Sequence, residues 1–315
     1  MLNKEKTQLL KYYQSMLEND KMYSKLDILS LFTEYNAKKS NNANEKNTNT
    51  NEKNTITLTF GDAGETHNGM KLSGILGKEN SGYQVEELKA MYEYFNDNSV
   101  ECEYHNLSID EIPENKASII ILRNYLDTEK SKELYENLLK YQWDRKFWSV
   151  RQRKVLNKHA RSNIMIEDGK AQAPNYENGE GTIIDGNCIP SFCSFKKSMV
   201  ENLNTASNTD KADNLICEGN QYFDHKKCGI GYHGDTERRK VIAIRLGDSM
   251  SMNWQWFHRN KPIGNTFEFT INNGDLYVMS EKAVGNDWRK SSKKTIRHAA
   301  GSNKYTSLEK YKKNK

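Results

Sequence analysis

The hydrophobic pattern of this chain changes period along its length. Apolar residues first recur at helical spacing, then in mixed segments, and from about residue 214 in short runs roughly ten residues apart. In the first part Leu9, Leu10, Tyr13 and Met16 share a face, which Leu26, Ile28, Leu29 and Phe32 continue. This predicts a helical N-terminal segment over 1–37. Residues 38–55 are nearly free of apolar side chains and rich in Asn and Lys. Such a stretch cannot bury enough surface to offset its ordering entropy, so a disordered linker is expected there.

Order resumes with the β-branched alternation of TITLTFGD (55–62). A helical pattern follows over 83–95, where Val85, Leu88, Met91, Tyr92 and Phe95 are apolar, and then come strand-like runs at 100–107 and 117–124. Together these predict a small α/β unit over 56–127. It shows no catalytic constellation: Gly61–Gly64 reads as a turn without the spacing or lysine of a phosphate loop. A structural or partner-binding role is expected for it. Residues 128–143 form an amphipathic helical pattern after Thr128, and 194–203 a shorter one.

From 214 onward NLICEGNQYF, CGIGYHGD, KVIAIRLG, MNWQWFHR, NTFEFTI and GDLYVMS follow one another, separated by turn residues, and KTIRHAAG supplies one more run. Evenly spaced short strands predict a sandwich or barrel. The fold class expected is α+β, with residues 128–315 as the main domain.

Composition narrows the class. No run approaches the roughly 20 apolar residues needed to span a bilayer, and the first residues lack the apolar core of a signal peptide. The five cysteines have irregular spacing and no Cys-x-x-Cys pair, which argues against a disulfide framework or a structural zinc knuckle. A soluble, intracellular protein with no membrane partner is expected. The net charge of +5 is mild. The basic run 144–163 interleaves Phe147, Trp148 and Val150 with its cations, the composition of a nucleic-acid groove or of an ordinary half-buried basic strand.

The candidate chemistry lies in the β region. His233 and Asp235 stand at i and i+2 around Gly234, a spacing that on a strand puts both on one face, and His298 lies on a later strand-like run. Two imidazoles and one carboxylate on one side of a metal leave its other positions open, the arrangement of non-heme Fe(II) oxygenases. The alternative is a polar turn and two surface histidines. Arg245 interrupts the apolar strand VIAIRLG and needs an anionic partner if buried, either a structural carboxylate or a ligand. His225 and His258 read as exposed or rim residues, Trp254 and Trp256 as packing, and Arg297 as structural or substrate-side.

Around these residues the chain resembles the AlkB-like branch of the 2-oxoglutarate- and Fe(II)-dependent oxygenases. Asn220-Gln221-Tyr222 looks like its Asn-x-Tyr, YHGDTE like its Tyr-His-x-Asp-x-Glu, VIAIRLG like the strand that follows, and NNGDLYVMS like its Gly-Asp-Leu strand. The ordered set covers about 214–301, with weaker similarity back to about 130. The resemblance implies a double-stranded β-helix (jelly-roll) core and Fe(II) held by His233, Asp235 and His298. It implies 2-oxoglutarate as co-substrate, oriented by Asn220, Tyr222 and a cation, and an O₂-dependent hydroxylation or oxidative demethylation. The substrate it implies is a nucleic-acid base, with a protein or small molecule as alternatives; a non-catalytic binding module on a degenerate fold is the competing reading. Two departures stand out. The segment EKAVGNDWRKSSKKTIR before His298 is longer than the family's, and the two arginines expected after that histidine are missing. Arg245, Lys304 and Lys310 are the candidate replacements.

Overall fold

The structure is a computed structural model that describes residues 54–312 apart from Thr66, Asn68, Glu111, Asn115 and His225. The helical segment expected over 1–37 and nearly all of the linker at 38–55 lie outside the described residues, as does His225. At the linker's end, Thr55 already belongs to the first strand.

In chain order, β1 (Thr55–Gly61) is followed by the short strands β2 (Ala63–Gly64) and β3 (Ser73–Gly74), helix α1 (Val85–Asp97), and strands β4 (Cys102–Asn106) and β5 (Ser118–Leu122). Helix α2 (Thr128–Leu139) leads to the hairpin strands β6 (Lys146–Ser149) and β7 (Lys154–Asn157), then to β8 (Ser162–Glu167), β9 (Ile183–Asp185) and helix α3 (Pro190–Ser207). Strands β10 (Ile216–Tyr222), β11 (Gly229–His233), β12 (Val241–Gly247), β13 (Met250–His258), β14 (Lys261–Ile271) and β15 (Leu276–Met279) come next. The one-turn helix α4 (Glu281–Val284), strand β16 (Thr295–Gly301) and the short helices α5 (Asn303–Thr306) and α6 (Glu309–Lys312) complete the described chain.

The strands form an eight-stranded sheet in the order β4-β5-β15-β12-β1-β10-β8-β9 and a four-stranded sheet in the order β11-β16-β13-β14. One face of the larger sheet carries helices. Ile56, Leu58 and Phe60 of β1 sit opposite Leu246, Ile244 and Ile242 of β12, and Phe60 stacks on Phe192 of α3 with ring centroids 5.8 Å apart. Burying a side chain of this size contributes about 1.5–3 kcal/mol. Helix α3 is longer than the 194–203 expected, because Pro190 starts it at a position where the missing N–H costs nothing. Phe192, Phe195, Met199 and Leu203 keep its inner face buried.

The other face of the larger sheet looks toward the smaller one. A single core joins Ile121, Ala243 and Tyr277 to Met252, Trp254, Trp256 and Ile296. Both tryptophans are fully buried, and Trp256 Nε1 donates to the Leu107 carbonyl at 2.6 Å, so they serve packing.

The division of 56–127 from 128–315 needs correcting. The segment expected as a separate α/β unit supplies β1 to the middle of the eight-stranded sheet and β4–β5 to its edge. β1 pairs along its whole length with both β10 and β12. Alternation in TITLTFG identified the strand but could not name its partners, which lie far along the chain. Among the described residues no helix is long and apolar enough to cross a membrane.

Candidate metal centre

β11 and β16 run antiparallel with His233 opposite His298. Residues opposed in this way project to the same side, and the two imidazole centroids lie 4.5 Å apart. β11 ends at His233, so the strand pleat does not bring in Asp235 as the i, i+2 spacing implied; a turn beyond the strand does. Asp235 Oδ1 reaches 3.5 Å from His233 Nε2 and 3.9 Å from His298 Nε2. One donor atom from each of the three residues falls within 4.8 Å of the others, close enough to ligate one ion.

The turn is braced on several sides. The Asp235 N–H donates to the Val284 carbonyl at 3.1 Å. Asn286 Nδ2 donates to the carbonyls of Asp235, Thr236 and Arg238 at 3.2, 2.8 and 3.1 Å. Asp62 Oδ2 accepts from the Arg239 and Lys240 N–H groups at 2.7 and 2.9 Å. Val284 and Asn286 belong to the extra segment before His298. The same segment builds α4 and its Gly285 cap, which support the turn carrying Asp235.

Protonation states suit metal binding. Burial holds both imidazoles below their usual pKa, His298 down to about 3 with the help of neighbouring His233. Burial alone would raise Asp235, but Arg238 and the two histidines outweigh it and keep the carboxyl below its ordinary value. At neutral pH the cluster offers two neutral imidazoles and a carboxylate, the forms that ligate a metal. His233 Nδ1 lies 2.8 Å from the Gly231 carbonyl and 3.1 Å from that of His298. A proton on Nδ1 leaves Nε2 free to face Asp235.

The cluster opens into a cavity of about 610 Å³, counting the space at its mouth. Asn220, Tyr222, Arg245, His233, Asp235 and His298, the site residues expected from sequence, all line it. Its floor is ruled by strand register: Asn220 of β10, Thr57 of β1 and Arg245 of β12 form one cross-strand row. Arg245 is 1% exposed. Its Nη1 donates to Thr57 Oγ1 at 2.6 Å, its Nε has no partner, and no carboxylate among the described residues pairs with it. Lys304 and Lys310 are exposed beside Tyr305 and Tyr311 and do not line the cavity. Arg297 points to the opposite face, over Phe257, and binds Asn260 Oδ1 at 2.8 Å.

Sequence reading missed Thr57, Thr59, Arg161, Glu218 and Arg238, which also line the cavity. Arg161 Nε donates to Asn220 Oδ1 at 2.6 Å. Glu218 was within reach, because alternation in CEGNQY puts it on the face of Asn220 and Tyr222. Arg238, in TERRK, carries no local sign of burial. Two of these, Thr57 and Thr59, come from β1, within the 56–127 segment for which a structural or partner-binding role was expected.

No protein-family model matches the chain. A protein of Acanthamoeba polyphaga mimivirus named "Uncharacterized protein R156" is 37% identical over 256 residues, an alignment that covers 79% of this chain and 96% of the relative. At that identity and coverage, this chain belongs to the same family as mimivirus protein R156.

Proposed function

We propose that the chain is an Fe(II)- and 2-oxoglutarate-dependent dioxygenase of the AlkB-like kind, its two facing sheets a double-stranded β-helix. The observation that carries this reading is Arg245: a buried guanidinium without a carboxylate partner among the described residues, in the cavity of the His233–Asp235–His298 cluster. A buried unpaired charge is costly unless a ligand neutralises it. A dicarboxylate answers both ends of the cavity, one carboxylate on Arg245 and the other at the metal cluster.

The residues present fit both groups. His233, Asp235 and His298 would hold the Fe(II), leaving its other side open. Thr57 fixes Arg245 for the distal carboxylate, and Arg161 orients the Asn220 amide on the floor. With O₂, the bound metal and co-substrate supply oxidation of a substrate C–H bond, with succinate and CO₂ formed. Arg245, buried on β12 and lining the cavity, would supply the cation that the family carries as arginines after its distal histidine.

For the primary substrate the reading favours a nucleic-acid strand. The β6–β7 hairpin carries Lys146, Arg151, Arg153 and Lys154, all exposed and none paired with a carboxylate among the described residues. Arg145 lies over the Phe223 ring at 4.9 Å. Free cations beside aromatic rings suit a phosphate backbone with unstacked bases.

The deciding experiment measures succinate formed from 2-oxoglutarate with and without Fe(II), with His233→Ala as control. Wild-type turnover that is lost in the variant supports the dioxygenase. No turnover, coupled or uncoupled, and no metal at His233 would sink it. Single-stranded oligonucleotide binding that weakens steeply with salt supports the substrate class, and salt-independent or absent binding removes it.

A further inference from the structure

We propose that Arg238 is a positioning residue that holds one oxygen of Asp235 and leaves the other for the metal. The proposal rests on the metal reading above and concerns how the carboxylate is presented. Asp235 divides its oxygens: Oδ1 faces the two imidazole Nε2 atoms at 3.5 and 3.9 Å, while Oδ2 faces Arg238 Nη1 at 3.5 Å.

Arg238 is itself fixed along its guanidinium. Nη2 pairs with Glu218 Oε2 and Nε donates to the Ala63 carbonyl. Arg238 and Glu218 are 5% and 3% exposed. Glu218 stands on β10, and its Oε2 also accepts the Glu65 N–H at 3.3 Å. The clamp therefore runs from β10 of the larger sheet and from β2, through a rigid planar fork, to one carboxylate oxygen.

Asp235 needs such a clamp because it lies past the end of β11. The backbone holds its Cα, but nothing in a strand pleat fixes its terminal torsion. A carboxylate free to turn can offer both oxygens to a metal and occupy a position that co-substrate and O₂ require. Partners in a second layer commonly orient metal ligands in this way. A purely structural ion pair between Arg238 and Glu218 would tie the turn to β10 without affecting how Asp235 meets a metal.

The test is the visible absorption spectrum of the Co(II)-loaded full chain, followed by anaerobic titration with 2-oxoglutarate. Arg238→Met is expected to retain Co(II) but shift its d–d bands and weaken 2-oxoglutarate binding at least tenfold. Arg238→Lys, which keeps the charge and loses the fork, should fall between. Glu218→Gln should move both readouts in the same direction as Arg238→Met. Spectrum and binding equal to wild type in folded Arg238→Met overturn the proposal. If that variant does not fold, unchanged values in Glu218→Gln overturn it. Failure of the wild type to bind Co(II) at His233 instead removes the metal reading beneath it.

Discussion

Gly234 and Gly285 meet backbone to backbone: a Cβ on Gly234 would lie 2.0 Å from the Gly285 carbonyl oxygen. Gly285 in turn sits at φ +73° as the cap of α4, and a Cβ there would lie 2.4 Å from the Ile296 carbonyl. Neither neighbour is a flexible side chain, so the backbone must give. Gly234→Ala is expected to cost about 1–3 kcal/mol, the usual range for overpacking, and to displace Asp235. Thermal melting and Co(II) titration check this; full metal affinity in the variant would contradict it.

Arg245 invites the opposite expectation for stability. Its removal strands no carboxylate among the described residues and costs the bond to Thr57 and a long contact to Met250 Sδ. Arg245→Met should melt within about 1 kcal/mol of wild type, or above it, because a desolvated charge is lost with the bond. Binding of 2-oxoglutarate to the Co(II)-loaded variant should fall at least tenfold. Loss of stability with unchanged binding would mark Arg245 as a structural cation.

Metal should stabilise the fold. A ligand that binds only the native state at 100 times its dissociation constant adds about 2.7 kcal/mol. Co(II) or Mn(II) should therefore raise the melting temperature of wild type, and a chelator should return it. His298→Ala and Asp235→Asn should abolish the shift, since each removes a donor from the cluster. A shift that survives either change would place the ion elsewhere.

The chain's pH response can be followed at Glu65. Burial would raise this carboxyl, but the hydrogen bond from His67 and the charge of Lys158, with Asn163, lower it to about 2. Lys158, 3.7 Å away, supplies a counter-charge, and burial holds His67 itself below its usual value. A folded pKa below the unfolded one gives stability that is complete above about pH 4.5 and is lost as pH falls toward 2. Glu65→Gln should be less stable than wild type by a few kcal/mol near pH 6, and the gap should close as pH falls through that window. Urea midpoints at pH 6, 4 and 3 measure it; a gap independent of pH would assign the effect to packing.

Much of the site could be read from local pattern. His233, Asp235, His298, Asn220 and Tyr222 sit in short motifs whose order along the chain singled them out, Arg245 stood out as a charge in an apolar strand, and the fold brings all six to one cavity. The residues missed depend on distant pairing. Thr57 matters because its strand lies between β10 and β12, and nothing in TITLTFG says so. Arg238 looks like one more surface cation in TERRK until Glu218 and the Ala63 carbonyl are found around it. The segment before His298 reads as an insertion in sequence, yet its Val284, Gly285 and Asn286 brace the turn that carries Asp235.

The central place of β1 in the larger sheet has a consequence for how the molecule comes to be made. β1 leaves the ribosome first among the described elements, yet Thr57 and Arg245, which it brings together, are 188 residues apart in sequence. Closing so long a loop is entropically slow, and sheets dominated by such contacts fold slowly. During synthesis β1 must wait, unpaired and rich in β-branched residues, until β10 and β12 have both emerged. A nascent chain halted before residue 216 should therefore remain open to protease at 55–61, and should become protected only once the strand through Gly247 is outside the ribosome.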